Sequence, residues 1–367
     1  PVHWAGYASG YLVWVGPDNL LYAARFDPDR LRITGTVRAL GGSPQITRGV
    51  RPKIALSAGG ALAYVPAQPL SLVTIDRSGR VTALLDKPRS YHSPRVSPDG
   101  RKILFDFEEN GRDVWLFDVR DTTLTRVTFE NSGHDPTWLP GGRQLLFAMQ
   151  RGNQIGIFRR NVDGSGVAES VLVQGAQVSA HTVTPDGRTA IAAWFTAGSS
   201  TAGFDLVTVP LDGTGKAEKL LETRYFEGYP ALSPDGRWLA YVSTETNRYE
   251  VYVRPFRGEG SKVLVSQSGG TEPVWSRDGR ELFYRSLGPR EQQMIAAAVD
   301  ARGEFRVLSR AALFDVVDFE AATPHANYDV MPDGKSFVMV RMGRLSEFVY
   351  LQHWIEELER PEAAEAR

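Results

Sequence analysis

Apolar residues along the chain fall in short runs that alternate with polar positions and break at Gly, Pro, Asp and Asn. Lys102-Ile103-Leu104-Phe105-Asp106-Phe107, Trp238-Leu239-Ala240-Tyr241-Val242 and Glu281-Leu282-Phe283-Tyr284 are typical. Runs of this length, rich in aromatic and β-branched residues, predict strands. A second strand follows each after a polar turn, as in Asp113-Val114-Trp115-Leu116-Phe117-Asp118 and Glu250-Val251-Tyr252-Val253-Arg254. Helical periodicity is confined to the end, so the chain reads as all-β.

The runs are set by a repeat. Ser97-Pro98-Asp99-Gly100 recurs as Leu139-Pro140-Gly141-Gly142, Thr184-Pro185-Asp186-Gly187, Ser233-Pro234-Asp235-Gly236, Ser276-Arg277-Asp278-Gly279 and Met331-Pro332-Asp333-Gly334, with weaker forms ending at Gly10 and Gly60. Pro presets φ, Asp bonds the backbone two residues on, and Gly supplies φ > 0, which together make a hairpin turn. The closing glycines recur at a mean of about 46 residues, the period of a four-stranded propeller blade. The expected fold is a single β-propeller of four-stranded antiparallel blades over 1–355, with a short helical acidic tail at 356–367. Counting one strand type, from Leu20 to Phe26 through to Phe348 to Gln352, predicts eight blades; seven is the alternative, with the two chain ends sharing a closing blade.

Composition narrows the function. Gly 36 and Pro 22 in 367 residues, beside 42% hydrophobic residues, describe a folded, turn-rich protein. Lys+Arg 42 against Asp+Glu 43 gives a net charge of -1, so nothing favours nucleic acid or an anionic membrane as partner. Cys 0 removes disulfides, thiolate metal sites and a Cys nucleophile. The longest apolar runs, such as Ala190 to Phe195, are too short to span a bilayer. A start at Pro1 is read as that of a mature or excised fragment, which leaves open the removal of an export signal, an anchor or a whole upstream domain.

The Ser-Pro-Asp-Gly-Arg turn followed by an apolar strand and Asp-Val-Trp-Leu-Phe-Asp resembles the TolB-like, WD-related propeller repeats of bacteria. The segment order, from Gly10-Tyr11-Leu12-Val13-Trp14-Val15 through Tyr328-Asp329-Val330-Met331-Pro332-Asp333-Gly334 to Leu351-Gln352-His353-Trp354, resembles the propeller attached to bacterial serine/threonine kinases. The resemblance implies a non-enzymatic binding or scaffold module, the sensory or protein-interaction part of a larger assembly, in an extracytoplasmic (periplasmic or exported) location. No Gly-rich phosphate loop, His-Arg-Asp or Asp-Phe-Gly is present, so kinase activity does not carry over.

Gly-x-Ser-x-Gly, His-Glu-x-x-His, Walker A and EF-hand motifs are also absent. The repeat aspartates Asp99, Asp186, Asp235, Asp278 and Asp333 are read as turn residues, Trp115, Trp138, Trp238 and Trp275 as packing between blades, and the stretch from Thr196 to Gly203 as slack. The segment before each innermost strand borders the central channel and changes from blade to blade. It contributes Arg51, His92 (after Tyr91), His134, Asp135, His181, Tyr229, Glu272, His325 and Tyr328 as the expected contacts for a protein, peptide or small-molecule ligand at the channel mouth. No cofactor is expected. The alternative is a divalent metal on His92, His134 and His181, with Asp135 or Glu272 completing the shell, serving a metal-dependent lyase or hydrolase.

Overall fold

The computed structural model describes residues 4–16, 20–44, 53–66, 69–85, 87–109, 111–174, 177–195, 203–288, 292–343 and 348–359. Arg51, most of the stretch Thr196 to Gly203 and tail residues 360–367 lie outside these. The chain forms two compact units, Leu70–Met342 and Pro1–Pro69 with Gly343–Arg367.

The larger unit is a β-propeller. Its strands assemble into six antiparallel sheets of four. The innermost strands are His92–Val96 (blade I), His134–Trp138 (II), Val178–Val183 (III), Glu227–Leu232 (IV), Gly270–Trp275 (V) and Tyr328–Val330 (VI). Each touches the next, and the sixth returns to the first, so the ring is closed. Blade VI is assembled from both ends of the unit: Tyr328–Val330 and Ser336–Met342 supply its inner half, Leu70–Asp76 and Val81–Ala83 its outer half. Ser336 pairs with Asp76 at one end and Met342 with Leu70 at the other, which locks the ring with a seven-residue ladder.

The ring therefore has six blades rather than eight, and the propeller occupies 70–342 rather than 1–355. The two surplus strands of the sequence count, Leu20 to Phe26 and Phe348 to Gln352, belong to the smaller unit. There a five-stranded sheet (Trp4–Ala8, Tyr11–Val15, Leu21–Asp27, Arg32–Ile33, Arg38–Ala39) and a three-stranded sheet (Ile54–Leu56, Leu62–Tyr64, Val349–Leu351) share a core of Tyr11, Val13, Leu21, Leu62 and Trp354. Strand alternation and Gly turns look the same inside and outside a ring, because both satisfy only the pleat. The shared closing blade foreseen by the alternative exists, but inside the larger unit. The terminal helix runs over Trp354–Glu359, where the helical periodicity at the chain end falls, and its Trp354 indole donates to the Gly60 carbonyl.

The repeat turns behave as their chemistry predicts. Asp99 Oδ1 accepts from Arg101 N (3.1 Å) and Ser97 Oγ (2.6 Å), and Asp186, Asp235 and Asp278 repeat the arrangement. The turn glycines also carry a packing role. A Cβ on Gly100 (φ 74°) would lie 2.9 Å from Pro332, and on Gly236 2.9 Å from Pro185. Each repeat Gly faces the repeat Pro of the preceding blade, giving a ring of Pro–Gly seats. It is broken once: Gly334 has nothing within 4 Å, because blade V carries Arg277 in place of Pro.

Adjacent blades are further tied by tryptophans. Trp138 Nε1 donates to Arg95 O (2.9 Å) and Trp275 Nε1 to Ala231 O (3.0 Å), each reaching the carbonyl one residue before the end of the previous inner strand.

Candidate functional site

The inner strands start irregularly. Blades I, II, III, IV and V each slip register there, at His92/Arg95, His134/Thr137, Ala180/Thr182, Gly228/Ala231 and Thr271/Val274. In four of them a residue before Pro sits in the left-handed region: Ser93 (φ 55°), Asp135 (51°), Tyr229 (56°) and Glu272 (56°). Non-Gly residues avoid this region unless the surroundings hold them, and such positions cluster at functional sites. Here the holding is visible in the hydrogen bonds.

At blades I, II and VI the side chains converge on Asp135. Its Oδ1 lies 3.5 Å from His92 Nδ1, 3.2 Å from His325 Nε2 and 3.6 Å from Arg112 Nη2; its Oδ2 lies 3.6 Å from His134 Nδ1. Asp106 completes the group, with Oδ2 accepting from Asp135 N (2.9 Å) and Oδ1 from Arg112 Nε. The His92 and His325 rings meet edge to face at 4.8 Å, and His181 packs on His325 at 5.4 Å. So His92, His134, Asp135, His181 and His325, expected from their common register, do come together. Asp106 and Arg112, which lie within blade strands, were missed; the one signal was a carboxylate interrupting the apolar run Lys102 to Phe107.

The charges in this cluster are mutually set. Burial opposes the Asp106 charge, but Arg112 and His92 outweigh it and hold the carboxyl at about 2. Burial likewise opposes the charge of Asp135, yet the histidines around it keep its carboxyl well below the usual range. Burial first, then His325, hold His181 well below the imidazole range.

Tyr229, Glu272 and Tyr328 do something other than expected. The 316–327 connection between blades V and VI folds back towards blade IV, and these residues secure it. Tyr229 N donates to Pro324 O (2.6 Å) and its hydroxyl to Ala322 O (2.8 Å). Glu272 accepts from Ala322 N (2.9 Å) and Asn327 N (3.2 Å) and pairs with Arg285 (3.1 Å), whose other nitrogens donate to the Phe319 and Glu320 carbonyls. Tyr328 donates to Glu272 O (2.9 Å). Glu272 and Tyr328 are 0% exposed and Tyr229 5%, and Tyr229 and Tyr328 also line the channel cavity. A connection long enough to fold back cannot be distinguished in sequence from an idle loop.

The metal set is also different. His92, His134 and His181 do not share a point. Among the described residues the atoms close enough to share an ion belong to His92, Asp135 and His325, within 4.8 Å of one another. They fit a metal poorly. Arg112 Nη2 lies 2.5 Å from His92 Nδ1, and since a guanidinium only donates, it occupies the lone pair an ion would need. Ser179 Oγ is 3.1 Å from His181 Nε2, but Ser179 is 2% exposed and no carboxylate among the described residues pairs with His181.

Between the cluster and the repeat turns lies a cavity of about 270 Å³. Arg95, His181 and His325 line it at depth, and Pro98, Pro185 and Pro234 at its rim. It thus reaches the face of the repeat turns, opposite to the expected mouth.

No protein-family model matches the chain. An uncharacterised protein of Agrobacterium fabrum is 25% identical over 53% of this chain and 70% of its own length. The Tol-Pal system protein TolB of Francisella tularensis is 26% identical over 47% of this chain, and an uncharacterised peptidase of Bacillus subtilis 28% identical over 44%; the chain spans only 40% and 24% of those two. Among solved structures, a putative TolB from Agrobacterium tumefaciens superposes with a TM-score of 0.61 at 19% identity, over 76% of this chain and 99% of that one. TolB from Acinetobacter baumannii gives 0.50 at 14% identity over 94% and 81%. In repeat sequence the chain resembles the TolB proteins, and its fold is that of the TolB-like β-propellers.

Proposed function

We propose that the chain is a non-enzymatic binding and scaffold module, the sensory or protein-interaction part of a larger bacterial assembly, working outside the cytoplasm. The observation that carries this is the division of labour in the channel. The polar side chains that could have formed a reaction centre hold one another, the strand bulges and the 316–327 connection, while a cavity stays open beside them towards the repeat turns. The TolB relatives support an interaction role, and the segment order supports attachment to a further domain, as in the kinase-linked propellers. The partner is a protein, peptide or small molecule that places a group in the channel; the balance of Lys+Arg 42 and Asp+Glu 43 gives no footing to nucleic acid.

The test is partner capture from an extracytoplasmic extract with the native chain and with Ala231→Phe, which fills the cavity from a half-buried position. Retention by the native chain and loss in the variant, at an unchanged melting temperature, is the expected result. Equal retention would remove the channel as the seat.

The second reading, a metal-dependent lyase or hydrolase, draws on the grouping of His92, Asp135 and His325. Plasma mass spectrometry and a thermal melt before and after chelation decide it: a stoichiometric ion whose removal lowers the melt would displace Arg112 from His92 and favour that reading.

A further inference from the structure

We infer that the channel cavity recognises a carboxylate and that Arg95 is its anchor. The inference rests on the reading of the channel as a ligand seat and names the chemistry of what sits there. Arg95 enters the cavity from the inner strand of blade I. Its Nη1 donates to Pro94 O (2.6 Å) and its Nη2 to Ala326 O (3.0 Å). Both partners are neutral carbonyls, and a guanidinium has five N–H donors, so most of its capacity is left for something else.

The other arginines of the channel differ. Arg112 is paired with Asp106, and Arg285 with Glu272. Among the described residues no carboxylate lies within 4.0 Å of Arg95, although four stand further off. Those four are already engaged. Asp106 and Asp135 serve Arg112 and the histidines; Glu272 serves Arg285, Ala322 and Asn327. Asp329 accepts from Val96 N (2.7 Å) and Val330 N (2.8 Å) and faces Arg277 at 4.0 Å. The desolvation that Arg95 suffers lowers its proton affinity despite these neighbours. Arg95 is half-buried, and a partly desolvated cation with no carboxylate in direct contact is costly; an arriving anion relieves that cost.

The remaining walls define the anion. Two guanidiniums line the cavity, but Arg277 donates to Val96 O (2.9 Å) and faces Asp329 at 4.0 Å, which leaves the planar fork of Arg95, the match for a carboxylate. Trp138, Trp275 and the rim prolines suit a small apolar body behind the charge. A small organic acid and the free C-terminus of a peptide both present this group.

The test uses the native chain and two probe pairs in titration calorimetry: isovalerate against isovaleramide, and acetyl-Ala-Leu against its C-terminal amide. The expected result is that an acid binds at least about tenfold more tightly than its amide, with the Nε–H resonance of Arg95 shifting during the titration. Preference for the first pair assigns a small acid, preference for the second a peptide terminus. Arg95→Met should erase the acid–amide difference and Arg95→Lys restore part of it; if Arg95→Met fails to fold, the native acid–amide comparison and the Arg95 resonance still decide. Equal binding of acid and amide would overturn the inference while leaving the channel as a seat. Absence of acid binding at millimolar concentration would also overturn it, and the Ala231→Phe capture result reports on the seat independently.

Discussion

At the strand starts of the channel, Asp135, His92, His325, Arg112 and Asp106 form a network in which every member differs from blade to blade. At the strand ends, the same six strands run into near-identical turns whose prolines seat on the next blade's glycines. One end uses buried charge and strained backbone; the other uses local hydrogen bonds and exposed turn residues. The repeat is what closes the ring, and side-chain chemistry gathers where the repeat is abandoned. Arg277 belongs to the second kind although it sits among the first: by breaking the Pro–Gly ring it reaches Val96 O (2.9 Å) and faces Asp329.

The difference can be broken at its strongest point. Asp135→Ala removes the carboxylate that His92, Arg112 and His325 share and leaves Asp106 alone to balance Arg112 and His92, and should cost about 3–5 kcal/mol in urea unfolding. Asp99→Ala, which removes only turn hydrogen bonds, should cost about 0.5–1 kcal/mol. Similar losses at the two positions would contradict the division.

Glu272→Gln comes next. It strips Arg285 of its counter-charge and weakens the hold on the 316–327 connection, for about 2–4 kcal/mol. Hydrogen exchange at the amides of Ala322 and Asn327 should accelerate while the repeat turns keep their protection; uniform acceleration would mean that the connection is not a separate element.

Acid sharpens the contrast further. His181, flanked by His325, Asp135 and Arg95, is held neutral by burial first and by His325 second. Its folded pKa is depressed, so below about 6.5 the unfolded chain takes a proton that the folded one refuses. Stability is full above that pH and falls as pH drops, with a slope from this group approaching about 1.4 kcal/mol per pH unit. The Asp106 and Asp135 carboxyls, also shifted down, lose their contribution in the same direction but only at lower pH, below their unfolded range. His181→Gln should flatten the urea midpoint between pH 6.5 and 5; an unchanged profile would detach His181 from the cluster.

The smallest effect is expected at Arg277→Pro. It restores the ring of seats in a backbone that five other blades already shape for Pro, with a gain of about 0.4–1 kcal/mol from the unfolded state offset by the lost Val96 contact. A melt raised by a few degrees or less fits this; a large drop would show that Arg277, and not the repeat, holds that joint.

How much of this was legible follows from range. Turn chemistry acts over two to four residues, so the roles of Asp99 and its counterparts, and the strands between them, could be read directly. The register of His92, His134, Asp135, His181 and His325 was legible because all lie on or just ahead of an inner strand, and inner strands surround one axis. Arg112 and Asp106 were not, since a strand residue carries no local mark of pointing at a neighbouring blade's bulge. Nor was Arg95, whose significance is a carboxylate that fails to reach it.

By itself, the sequence determined the period, the four-stranded units and the propeller class, because each is enforced within one repeat by pleat alternation and by Pro, Asp and Gly in the turns. Only the tertiary structure decided that six units close while the outlying strands build a second core, and that Tyr229 and Glu272 hold the 316–327 connection. It also decided that, among the described residues, no carboxylate makes direct contact with Arg95. Ring closure and charge pairing depend on distances between residues far apart in the chain, and those distances exist only once the blades have met.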